Sequence, residues 1–225
     1  MSTQTQISSL LIVNVQKDFF PGGKICVPQW ERVISKIQRI RKFHFDNIIL
    51  TQQKRPGNSI MFQTNNPGCF VGDTSKISSR IEHDHCVDGT IGCELYPGLF
   101  ADPEDMIVDM YTSPRCNYSS PFKTERKIRS SLYEYFVERK ITRLYVCGIG
   151  VGKALENIML DAKNVLKDVS VVCLSDACAV DDADSFSFMY GIGGYFSVGE
   201  RNSFSYGYSF SDSKGNHNSS DTTAD

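Results

Sequence analysis

Leu144-Tyr145-Val146-Cys147-Gly148-Ile149-Gly150-Val151-Gly152-Lys153-Ala154-Leu155 is the stretch on which the fold turns. An apolar run of strand length passes into a turn with three glycines and then into a helix. In open α/β sheets, ligands and catalytic groups gather beyond the carboxyl ends of the strands, at turns of this kind. The first turn of the helix adds unpaired N–H groups and the positive end of the helix dipole, which would activate a nucleophile placed there. This chain carries Ala154 at that place, and a methyl group does no chemistry.

Outward from this stretch, strands and helices alternate. Residues 9–16 are a near-continuous apolar run, suited to a strand covered on both faces. Gln29 to Phe43 reads as an amphipathic helix, with Val33, Ile34, Ile37 and Ile40 on one face. Strands are predicted at Asn47–Gln52, Met106–Met110 and Val169–Leu174, the last followed by an exit loop at Asp176-Ala177-Cys178. Phe122 to Lys140 is predicted helical, as is the segment from the opening stretch to Val165. A short helix at Asp182–Tyr190 and a strand at Tyr195–Val198 complete the domain. Right-handed crossovers turn this order into a single α/β domain: an open parallel sheet of about six strands with helices on both faces. Residues 53–100 are irregular and rich in Gly and Pro, and so long an irregular stretch inside a compact domain is usually functional. The predicted organisation is an extension at residues 1–8, the domain at 9–198, and a disordered Ser/Gly/aromatic tail at 199–225.

Composition bounds the function. The chain has 225 residues, 40% of them hydrophobic, and a net charge of −2, so nothing points to a nucleic-acid or anionic-membrane partner. The apolar run Leu10–Val13 is too short for a signal segment or a membrane span, which makes the cytoplasm the expected location. Eight scattered cysteines with no Cys-x-x-Cys pair read as free thiols of a reducing compartment, several of them buried.

The landmarks Leu11-Ile12-Val13-Asn14-Val15-Gln16-Lys17-Asp18-Phe19-Phe20-Pro21-Gly22-Gly23, Thr51-Gln52-Gln53, His85-Cys86-Val87-Asp88-Gly89-Thr90-Ile91-Gly92, Pro97-Gly98-Leu99, Val146-Cys147-Gly148 and Asp176-Ala177-Cys178 fall in a telling order. Over residues 9–185 the chain resembles the nicotinamidases, within the isochorismatase-like cysteine hydrolases. The resemblance implies a six-stranded parallel sheet, usually in an oligomer. It also implies a Cys nucleophile poised by an Asp and a Lys, a thioester intermediate, and an oxyanion held by backbone N–H groups beside a cis peptide. Carried over residue by residue, the Asp position is Asn14, the Lys position Met110 and the Cys position Ala154. The family's divalent metal, often zinc, would sit at Gln53, Arg55, Ser59 and His85, of which only His85 keeps the ligand type. No metal is therefore expected. Phe19, Gly150 and Val151 line the pocket that the resemblance implies, and Glu82 stands where the family commonly has a pocket Trp.

Other residues carry chemistry of their own. Cys147 could point toward the site or pack as a core thiol. Cys86 adjoins His85, but neighbours on a strand face opposite ways. Glu82-His83-Asp84-His85 is a new metal site or a solvated polar loop, and Asp18 is a base or the organiser of the turn before Pro21-Gly22-Gly23. The leading expectation is a catalytically inactive nicotinamidase homologue that binds a small pyridine-like or anionic ligand, or joins a homo-oligomer or an active paralogue. The charges of Arg55 and Glu82 favour an anionic or zwitterionic ligand over neutral nicotinamide. Two alternatives stay open: an amide hydrolase converting nicotinamide to nicotinate with a relocated nucleophile such as Cys147, and a structural partner subunit of an active paralogue.

Overall fold

The centre of the sheet is β1 (Ser8–Val13), whose Leu10, Leu11, Ile12 and Val13 are buried. Such burial on both sides fits a strand with parallel neighbours on each edge and helices above and below. A computed structural model of the chain describes residues 6–74, 80–116, 120–122, 130–150, 153–181, 195–198 and 204–207. β1 pairs with β2 (Asn47–Gln53) on one side and with β4 (Arg143–Gly150) on the other. β3 (Met106–Met110) lies outside β2, β5 (Ser170–Val180) outside β4, and β6 (Tyr195–Val198) and β7 (Phe204–Gly207) complete the order β3-β2-β1-β4-β5-β6-β7.

The first six strands in this order run parallel, as expected, and β7 is antiparallel. The chain winds outward from β1 to β3, then returns and winds the other way through β4, β5 and β6. Right-handed crossovers in the two directions place α1 (Trp30–Ile40) and α3 (Ala154–Val165) on opposite faces. α1 buries the apolar stripe read in the sequence: Val33, Ile34, Ile37 and Ile40. α2 (Ser131–Glu138) is shorter than the predicted Phe122–Lys140 helix. Its start is set by Ser130, whose Oγ accepts from the Tyr133 N–H at 3.3 Å, a cap that ends the helix there. Phe122 lies before that cap and packs edge-on against Phe136.

Two further expectations change. Asp176-Ala177-Cys178 lies inside β5 rather than in an exit loop. The register passes from Val146 opposite Cys173 directly to Gly148 opposite Cys178, so β5 bulges there and resumes its pairing. The segment expected to be a disordered tail contributes β7, pairing Phe196 with Tyr206 and Val198 with Phe204. Phe204-Ser205-Tyr206-Gly207 alternates with period 2, and β6 offers it an open strand edge. The predicted 182–190 helix lies outside the described residues. All eight cysteines are free thiols, and Cys86, Cys93, Cys116, Cys147, Cys173 and Cys178 are buried. Among the described residues, no helix is long and apolar enough to cross a membrane.

Gly148 is the tightest point of the sheet. Its φ is +124°, and a Cβ there would be driven into the carbonyl oxygen and amide nitrogen of Val13. Gly148→Ala combines backbone strain with overpacking, and is expected to cost about 3 kcal/mol or more in urea unfolding. Ala substitution at exposed Gly22, where no atom lies near the added Cβ, should cost only the positive-φ strain of about 1 kcal/mol.

Candidate functional site

The winding reverses between β1 and β4, and the carboxyl ends of strands at such a switch point are the usual ligand position in a doubly wound sheet. Asn14 leaves β1 with φ of 48°, a left-handed conformation that Asn tolerates better than most residues. Its N–H donates to the Thr51 carbonyl at 3.2 Å and to Thr51 Oγ1 at 3.1 Å. Its Oδ1 accepts from Thr51 Oγ1 at 2.8 Å, which turns the side chain toward β2. Asn14 Nδ2 is buried and has no hydrogen-bond partner. An amide in this place cannot take up a proton near neutral pH.

Gln16, to which the sequence reading gave no role, ties β1 to β2. Its Oε1 accepts from the Gln53 N–H at 2.8 Å, and its Nε2 donates to the carbonyls of Gln53 at 2.7 Å and Cys93 at 2.8 Å. Gln52 Nε2 donates to the same Cys93 carbonyl at 2.7 Å. Only the position of Gln16 just past an apolar strand could have signalled this clamp. Met110 ends β3 opposite Gln53 and is buried. Ala154 opens α3 with its methyl group buried, and Gly150 just before it packs so tightly that a Cβ would come within 2.8 Å of Leu155. Val151 lies outside the described residues.

The positions that the resemblance gives to the metal are filled by a cation of the chain itself. Arg55 is only 2% exposed. Its Nε donates to Gln53 Oε1 at 3.0 Å, and its Nη1 lies 2.8 Å from Glu82 Oε2, an ion contact outside hydrogen-bond alignment. The guanidinium carbon sits 4.0 Å from the Tyr111 ring centroid and 5.8 Å from that of Phe62. The charges of Arg55 and Glu82 thus meet each other rather than an empty pocket. Ser59 is buried in the turn after Pro56, where its N–H donates to the Pro56 carbonyl at 2.9 Å. It joins neither Arg55 nor His85.

His85 packs against Phe19, ring centroids 5.7 Å apart, and faces Phe62 at 6.3 Å. Its Nδ1 lies 2.7 Å from the His83 carbonyl, so Nδ1 carries the proton and the buried, unpartnered Nε2 is a lone-pair acceptor. Burial, and next the Arg55 charge, lower its pKa from 6.5 to about 3, so the ring is neutral near pH 7. As a donor set for a divalent cation the four positions do not fit. One imidazole nitrogen is free, Gln53 Oε1 is engaged by Arg55, and a fixed positive charge stands beside both. Among the described residues, no group of three or more His, Cys, Asp and Glu side chains is placed to hold a metal ion.

The remaining candidates have structural partners. Asp18 Oδ1 accepts from the Lys24 N–H at 3.1 Å and Oδ2 from the Cys86 N–H at 2.6 Å, which fixes the turn before Pro21. Burial, and then Asp18, push the Cys86 thiol pKa up. Cys147 is fully buried in β4 opposite Ile12, and burial raises its pKa as well.

Residues 8–190 match the isochorismatase domain. The chain belongs to the isochorismatase family. It is 29% identical over 183 residues to a nicotinamidase of Acinetobacter baylyi, spanning 80% of this chain and 84% of that one. It is 25% identical over 187 residues to a nicotinamidase of Escherichia coli, at 76% and 82% coverage. Among solved structures, a nicotinamidase/pyrazinamidase of Acinetobacter baumanii superposes with a TM-score of 0.69 at 26% identity, covering 82% of this chain and 90% of that one. Yeast nicotinamidase shares the fold with a TM-score of 0.72 at 20% identity, covering 81% and 94%. The isochorismatase-like sheet expected from the landmarks is thus the sheet observed.

The depressed pKa of His85 sets a pH dependence for this isochorismatase-family fold. The unfolded chain takes up a proton below pH 6.5 that the folded chain refuses until about pH 3, so stability falls as pH drops through that window. Two pH units below 6.5 the cost is about 2–3 kcal/mol. Urea unfolding of wild type and His85→Gln at pH 7 and pH 4.5 checks this. The carboxylates titrate alike in both, and the wild type should lose more stability than the variant by about that amount. Equal losses would show that His85 is accessible to protons.

Proposed function

We propose that this isochorismatase-family protein is a nicotinamidase-like binding protein that does not hydrolyse amides. The observation that carries the reading is Ala154 at the first residue of α3, where the dipole and free N–H groups would activate a nucleophile. Two further features support it. Asn14 cannot act as a base, and Met110 has no ammonium to lower a neighbouring thiol's pKa. Cys147, the substitute nucleophile, is buried inside β4 with its thiol held protonated. The guanidinium of Arg55 argues against a divalent metal in the same site.

The ligand this reading favours is a small neutral pyridine-like compound. An anionic ligand would need the Arg55 charge, which Glu82 already offsets at 2.8 Å. Assembly with further copies or with an active paralogue is the accompanying proposal, and the free thiols suit a reducing compartment such as the cytoplasm.

The test is ammonia release from nicotinamide and pyrazinamide by the purified chain, with and without zinc, against a heat-killed control. No release above control is expected from wild type or from Ala154→Cys, since the single thiol lacks a base and a cation to poise it. Turnover by wild type would overturn the proposal, and its loss in Cys147→Ser would then identify the nucleophile. A melting-temperature screen tests binding. A pyridine carboxamide at ten times its Kd adds about 1.4 kcal/mol, which is about 3–5 °C in a chain of this size.

A further inference from the structure

Between β2 and β3 the chain runs for some fifty residues, whose regular structure among the described residues is short 3-10 turns. Isolated bridges hold this region: Arg55 N–H to the Cys86 carbonyl at 3.0 Å, Asp88 N–H to the Arg55 carbonyl at 2.8 Å, and Glu82 N–H to the Met61 carbonyl at 2.8 Å. Within the turns the backbone bonds locally, and side chains join one turn to another and to the ends of the sheet. Among the described residues Arg55 is the largest fully buried side chain, and it touches four separate places at once. These are Gln53 at the end of β2, Phe62, Glu82, and Tyr111 just past β3.

Tyr111 supplies a second, independent observation. Its φ is 60°, left-handed backbone that a bulky residue rarely adopts. A glycine would take this conformation without strain. The tyrosine in this conformation has its ring 4.0 Å from the guanidinium carbon, in a desolvated cation–π contact.

We infer that Arg55 is a built-in structural cation, which, in place of a bound metal ion, cross-links the end of β2, the segment around Glu82 and the exit of β3. Glu82 is its counter-ion, Gln53 its hydrogen-bond acceptor and Tyr111 its lid. A guanidinium serves where an ammonium would not. Its planar fork reaches Gln53 and Glu82 from different nitrogens while its face lies against a ring. The inference shares with the proposed function the assignment of these positions to the family's metal site, but it makes no reference to turnover.

Melting of the purified full chain tests it. Zinc and EDTA should each leave the wild-type melting temperature within about 1 °C, whereas Arg55→Met should lower it by roughly 6–15 °C. Arg55→Lys, which keeps the charge and loses the fork, should recover less than half of that loss. Should Arg55→Met fail to fold, the milder Glu82→Gln, at a side chain 24% exposed, should still lower the midpoint by roughly 2–6 °C. Tyr111→Leu should cost at least about 2 °C more in wild type than in an Arg55→Met background, because only a cation beside it rewards the ring. A zinc-induced rise of the wild-type midpoint, or Arg55→Met melting with wild type, would overturn the inference. Hydrolysis of nicotinamide alongside the expected shifts would defeat the proposed function and leave this inference standing.

Discussion

At Gly148 the backbone of β4 rests against that of Val13 so closely that no side chain fits between them. This contact joins the two halves of the sheet, which wind in opposite directions from it. Its consequences spread along both strands. One residue beyond Val13, Asn14 enters left-handed backbone and turns its side chain back to Thr51. On the far side of β4 the register slips, and β5 takes up extra residues opposite Gly148 before pairing again at Cys178. Beyond Gly150 the chain begins α3. The carboxyl end of β1 and β4 is therefore shaped by a backbone approach that a methyl group would destroy, and residue identities around it are secondary to that approach.

At the neighbouring end of β2, Gln53 belongs to two systems. Its backbone N–H and carbonyl are both taken by the Gln16 amide, a side chain that copies the pairing of a strand. Its own Oε1 accepts from Arg55. Gln53 thus couples a neutral amide network, which holds the ends of β1 and β2, to the charged cluster that holds the irregular segment. A neutral acceptor suits this post. With Glu82 already at 2.8 Å, a second carboxylate on the guanidinium would add a buried negative charge without its own counter-ion.

Much of the sheet could be read directly from the chain. Buried parallel strands are rich in apolar residues, and α1 keeps its core face at helical spacing, so β1, β2, β4 and α1 announce themselves locally. The bulge in β5 does not, because it arises from the approach of two other strands at Gly148. The start of α2 at Ser131 is marked by a single hydroxyl cap, which apolar periodicity cannot register. At the site, the position of Ala154 is legible because strand, glycine turn and helix are contiguous. Arg55, Glu82 and Tyr111 carry no mutual signal, since they lie far apart along an irregular chain. Read separately, the first two give the pocket a positive and a negative charge. Placed together, they cancel.

That cancellation bears on why such a pair persists. A buried ion pair often adds little net stability over well-packed apolar side chains, because desolvation consumes most of the Coulomb gain. Its distinctive contribution is direction. Arg55 holds Gln53 by a directed hydrogen bond from Nε, Glu82 by charge, and the Tyr111 ring by a cation–π contact, so three separate places on the chain share one cation. Tyr111 meets the guanidinium with its ring from left-handed backbone. The cluster is best understood as a tie between the end of β2, the segment around Glu82 and the exit of β3, added to the local turns that the backbone already bonds.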